Sequence, residues 1–95
     1  MPAAQYARLT RYAAFAVVHL LLSVAAIAAG GDGLRLVALV AALPFLFAWG
    51  HFQADVTLNP ELDEPARTRW RNALWCLPWS IALYWQAHVR PRRVA

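Results

Sequence analysis

Three stretches without a charged residue divide this chain: Tyr12–Gly31 (20 residues), Leu36–Ala54 (19 residues) and Asn72–Val89 (18 residues). At a helical rise of about 1.5 Å per residue, each spans roughly the 30 Å hydrocarbon core of a bilayer. Every charge falls between or outside the runs. Outside them remain a short head, a tight turn, one polar loop and a basic tail. That remainder of a 95-residue chain is too small for a soluble catalytic domain, which needs about 50 residues. The run lengths predict an all-α integral membrane protein with three transmembrane helices. It is a helical hairpin plus a third helix that starts from an interfacial segment. The spans fall at about 12–31, 36–54 and 72–89, with a polar loop at 55–71, in a single membrane domain.

The charge pattern agrees with insertion. All nine basic residues are arginines, and they flank the runs: Arg8 and Arg11, Arg35, Arg67, Arg69 and Arg71, then Arg90, Arg92 and Arg93. Flanking arginines hold an inserted helix in register against anionic headgroups, so membrane lipids are expected partners and nucleic acid is not. Arg90, Arg92 and Arg93 are expected interfacial anchors, as are the amphipathic rings of Tyr12, Trp49, Trp70, Tyr84 and Trp85. Arg8, Arg11, an apolar stretch and Ala26-Ile27-Ala28 also resemble a secretory signal. The stretch is long for a signal core, and it is read as a retained first span. The expected setting is a bacterial inner (cytoplasmic) membrane, crossed several times. Counting arginines along three alternating spans gives 2 + 3 = 5 on the side of the head and 1 + 3 = 4 on the other. The positive-inside rule then leans toward a cytoplasmic N-terminus with the C-terminus opposite.

Local signals fix the turns. Gly30-Gly31-Asp32-Gly33 cannot continue a helix cheaply and predicts a tight αα turn. Alanines along the first two runs, Ala25 and Ala29 among them, allow close helix approach and are expected at a partner interface. Pro44 bends the second span. Asn59-Pro60 and Asp63-Glu64-Pro65 each read as a helix cap followed by early proline, so the third helix is expected to begin between 60 and 65. Trp75 and Trp79, four apart, are expected to share a face. Trp79 lies too deep for an aromatic belt, so the pair is expected to meet a partner helix or a large flat ligand. Pro78 either bends this helix or turns it back as a re-entrant segment.

The runs contain no Asp, Glu, Lys or Arg, which proton-coupled and ion-coupled carriers usually require inside the membrane. No nucleophile elbow, phosphate loop or zinc pattern is present, and no enzyme activity is expected. His19 stands apart because it lies well inside the first run. A buried imidazole needs a hydrogen-bond partner or a metal. It is expected to bond across helices, to Ser23 or Ser80 for example. The alternative is an axial ligand to a haem or chlorophyll, although His19, His51 and His88 fall at different depths in an up–down–up arrangement.

Trp49, Asp55, Asn59-Pro60, Trp70, Pro78, Tyr84 and Arg90 together form a pattern: apolar span, Asp, polar loop, then a Trp-led helix ending in arginine. Over residues 36–93 this resembles the paired-helix membrane segment at the N-terminus of cardiolipin synthases and related phospholipase-D-type proteins, and small bacterial membrane proteins. No HxK phosphodiesterase motif accompanies it. The resemblance therefore implies a membrane-embedded module without catalysis. The leading functional expectation is a small accessory subunit that packs against a larger membrane protein complex. The alternatives are a tetrapyrrole-holding antenna or electron-transfer subunit using His19, and a holin-like pore former.

Overall fold

A computed structural model describes residues 1–92; Arg93, one of the expected anchors, lies outside the described residues. Two long helices, α1 (Ala3–Ala29) and α2 (Asp32–Leu58), form an antiparallel hairpin. Both are long and apolar enough to cross a membrane, with mean hydropathies of 2.1 and 1.8 over their most apolar stretches. Gly30 ends α1 in the left-handed region at φ 68°, and its N–H bonds to the Ala26 carbonyl. An L-residue would be strained there. Asp32 opens α2 as an acid in its first turn, where the helix dipole favours it. Both helices outrun their uncharged runs. The head residues from Ala3 are mostly good helix formers, so α1 begins well before Tyr12. α2 continues to Leu58 and buries Val56.

The third run is not one helix. α3 covers Glu64–Cys76, capped by the Asp63 carboxylate, which accepts from Ala66 N at 2.8 Å, with Pro65 in its first turn. The second of the two expected caps is thus the one used. At Leu77 the backbone leaves the helical region (φ −132°, ψ 84°), and a 3₁₀ turn follows at Pro78–Ser80. A return segment then runs over 81–92: the short α4 (Ile81–Tyr84), a π turn (Trp85–Val89) and a 3₁₀ turn (Arg90–Arg92). The cause is local. Proline has no N–H and disfavours the α conformation in the residue before it. Trp70 and His88 would stand about 27 Å apart on a straight helix, yet Trp70 Nε1 donates to His88 Nε2 at 3.0 Å. The single transmembrane helix expected over 72–89 is corrected accordingly: Pro78 reverses the chain and makes a short second hairpin.

The reversal rearranges the ends. The tip of the second hairpin reaches the middle of the first, where Trp79 lies against His19 and Phe45. The return segment brings Arg92 back to Asp55 near the end of α2. Met1, Asn59 and Arg92 border one cavity, so the head, the 59–63 turn and the return segment share one end of the molecule. Arg90–Arg92 therefore return to the end that carries the head, where a third crossing would have put them at the other. The core fills the half that contains both hairpins, through Leu9, Ala16, Phe52, Leu74, Ile81 and Val89 among others. The far half of α1 and α2 exposes Val24, Ile27, Leu36, Leu39 and Leu43.

Candidate functional site

The second hairpin sits on carbonyl groups that prolines leave without their helical donors. In an unbroken helix, residue 78 would donate to the Leu74 carbonyl, but Pro78 has nothing to donate. Trp49 Nε1 supplies that bond from α2 at 2.8 Å. Pro60 leaves the Val56 carbonyl in the same condition. Arg67 Nε donates to it at 3.2 Å, while Arg67 Nη2 reaches the Asn59 and Leu62 carbonyls at 2.9 and 3.0 Å. Trp49 and Arg67 thus satisfy the backbone that the two breaks expose, as buried polar groups require.

A polar seam joins the return segment to the end of α2. Asp55 Oδ2 accepts from the Tyr84 hydroxyl and from Arg92 Nη2, each at 2.5 Å. Asn59 Nδ2 donates to the Tyr84 oxygen at 3.3 Å, and Asn59 Oδ1 accepts from Glu61 N at 3.0 Å. The side chain of Asp55 is 7% exposed and that of Arg92 16%, so the ion pair is largely dry. Trp85 Nε1 donates to Thr10 Oγ1 at 2.9 Å, tying the return segment to α1.

At the tip, His19 Nε2 lies 3.1 Å from the Ala38 carbonyl, and Nδ1 accepts from Trp79 Nε1 at 3.1 Å. This pair of contacts describes a neutral imidazole with its proton on Nε2 and both nitrogens occupied. Phe45 stacks on the same ring at 4.8 Å. Of the expected partners, Ser23 is not used. Ser80 is not used either, and its buried Oγ has no partner among the described residues. An axial bond to iron or magnesium would have to displace one of the two contacts. Among the described residues, no group of three or more His, Cys, Asp or Glu is placed to hold a metal ion. His19→Leu leaves the Trp79 N–H without its acceptor, and is expected to cost about 1–3 kcal/mol of stability. Thermal or denaturant unfolding of the purified variant measures it, and a cost below the lower bound would show that the contact is dispensable.

The other expected site residues divide. Trp75 and Trp79 do not share a face, because the break at Leu77 puts them in different elements. Trp79 is half-buried and bonded within the chain, whereas Trp75 is 68% exposed with its ring edge-to-face on Trp49. Trp70 and Tyr84, both expected as interfacial anchors of the third span, have ring centroids 5.3 Å apart. Tyr84 is buried in the seam, and Tyr12 rests against Phe47 and His51. Ala25 and Ala29 lie exposed on the far half of α1, where Ala26 alone of that group is buried. Arg90 is exposed, while Arg92 belongs to the seam.

Sequence reasoning names Asp55 and Asn59 only as parts of a loop pattern and Arg67 only as a flanking charge, assigns none of them to a site, and does not name Thr10. A signal existed for two of them. Asp55 and Asn59 are four apart and share a helix face at the end of an apolar run. Their shared partner, Tyr84, is brought near only by the reversal at Pro78. No protein-family model, curated protein or solved structure matches the chain.

Proposed function

We propose that this chain is a small, non-catalytic subunit of a larger membrane protein complex in a bacterial inner membrane. It crosses the bilayer with α1 and α2 and dips its second hairpin to mid-depth from one side. The observation that supports this reading is the tip. Trp75 and Leu77 are 68% and 64% exposed, and Cys76 between them is exposed too, where the backbone leaves the helix. Non-helical backbone at membrane depth is tolerated only where protein or a water-filled cavity covers it. The chain's own helices leave the side chains of Trp75, Cys76 and Leu77 uncovered beside this break, an apolar surface that a neighbouring protein would cover. The resemblance to a non-catalytic paired-helix membrane segment points the same way. The tetrapyrrole alternative draws no support from His19, whose two nitrogens are already bonded. Purification in mild detergent with a native-mass measurement tests the reading. Co-migration with a larger assembly is expected, and a monomer recovered without detergent would refute it.

Orientation follows from the reversal. Of the eight described arginines, Arg8, Arg11, Arg67, Arg69, Arg71, Arg90 and Arg92 lie toward one end and Arg35 alone toward the other. The near-tie of 5 against 4 over nine arginines along three spans becomes 7 against 1 over the eight described, which favours a cytoplasmic head and return segment under the positive-inside rule. A fluorescent protein fused after Ala95 should glow, and alkaline phosphatase at the same position should be silent. Phosphatase activity there would overturn the two-span arrangement.

A further inference from the structure

Between the first turns of α1 and the last turns of α2 lies a cavity of about 400 Å³. Gln5, Arg8 and Leu9 line one wall, and His51, Asp55 and Leu58 the other. We propose that it holds the phosphodiester headgroup of an anionic phospholipid, with Arg8 as the residue that grips the phosphate. The proposal rests on the membrane placement above.

Charge selects the ligand. The cavity's one carboxylate, Asp55, is already paired with Arg92 at 2.5 Å and accepts from Tyr84. It therefore contributes little net negative field. Arg8 is exposed and makes no hydrogen bond or ion pair among the described residues. Arg11, one turn further along α1, is exposed and bonds only to the Ala7 carbonyl. The cavity thus carries an uncompensated positive charge. A guanidinium fork suits phosphate oxygens. Gln5 adds a side-chain amide donor beside it. His51 Nδ1 donates to the Phe47 carbonyl at 3.0 Å, so the donors offered to a phosphate are those of Arg8 and Gln5.

Polarity selects a lipid over a free anion. The polar groups share the cavity with Leu9, Ala54 and Leu58. These apolar side chains suit the glycerol backbone of a lipid beside its phosphate. Inorganic phosphate has nothing to place there.

The test uses the full chain purified in mild detergent, with apparent unfolding temperature as the readout. Added phosphatidylglycerol should raise that temperature, and phosphatidylcholine or inorganic phosphate should do so far less. Arg8→Gln should weaken the phosphatidylglycerol response about fivefold, the effect of losing one arginine at an anionic surface. Arg69→Gln, an exposed arginine on α3 away from the cavity, should leave it intact. Equal responses to phosphatidylglycerol and phosphatidylcholine would overturn the assignment. An equal response to inorganic phosphate would reassign the cavity to a free anion and overturn the lipid. Equal losses in the Arg8 and Arg69 variants would reduce the effect to surface charge and overturn the site. Recovery of the chain without detergent would instead remove the membrane reading beneath it, so the two failures are distinguishable.

Discussion

Asp55→Ala is expected to cost about 3 kcal/mol of folding stability, the lower end of the range for removing one member of a buried ion pair. The change leaves the Tyr84 hydroxyl without its acceptor and Arg92 without its counter-ion. Arg92 keeps some solvent contact at 16% exposure, which places the cost at the low end. The partner variants should order themselves by what each orphans. Tyr84→Phe leaves the Asp55–Arg92 pair intact and should cost least. Arg92→Gln leaves Asp55 with the Tyr84 hydroxyl alone and should fall between. Domains are stable by about 5–15 kcal/mol in total, so the Asp55 change removes a substantial share. Denaturant or thermal unfolding of the four proteins measures the series. A double-mutant cycle between Asp55 and Tyr84 isolates their shared energy. An Asp55→Ala variant within about 0.5 kcal/mol of the parent would show that the seam does not hold the return segment.

That seam marks the limit of what the sequence made legible. The first hairpin was readable because its signals are local. Gly30 and Gly31 can only end one helix and begin another cheaply, and two runs of the right length flank them. The start of α3 was readable for the same reason, since Asp63 and Pro65 act within their own helical turn. The third run misled because length and absence of charge carry no direction. An 18-residue run fits a bilayer whether it crosses or folds back, and Pro78 is compatible with both. Read as a crossing, the run separates Trp70 from Tyr84 by most of a span, gives Trp75 and Trp79 one face and splits the arginine count almost evenly. The seam was invisible because its members, Asp55, Asn59, Tyr84 and Arg92, are drawn together by that one reversal. Trp49 and Arg67 were hidden differently. Each answers a carbonyl orphaned by a distant proline, a need that appears only when every backbone donor is accounted for.

Trp75→Ala is expected to release the chain from its complex while leaving its own fold nearly unchanged. Trp75 is exposed at the tip of the second hairpin and touches the rest of the chain through its contact with Trp49 at 4.7 Å between ring centroids. Its loss inside the chain is therefore small, about 0.5–1.5 kcal/mol for an aromatic pair. An exposed tryptophan buried by a partner is the usual centre of an interface, and truncating one costs about 2–4 kcal/mol of binding. That corresponds to a roughly 30-fold to 1,000-fold weaker complex, enough to lose the partner during detergent washing. Leu21→Ala, on the opposite exposed half of the first hairpin, is the comparison: it removes apolar surface without touching the tip, and co-purification should survive. Trp79→Ala should behave differently from both. It frees His19 Nδ1 and unpins the tip from α1, so it should lower the unfolding temperature as well as the yield of complex. The separation between these variants distinguishes a docking residue from a fold residue at neighbouring positions. If the Trp75 variant retains its complex at full yield, the tip faces lipid, and the exposed break at Leu77 no longer supports a partner.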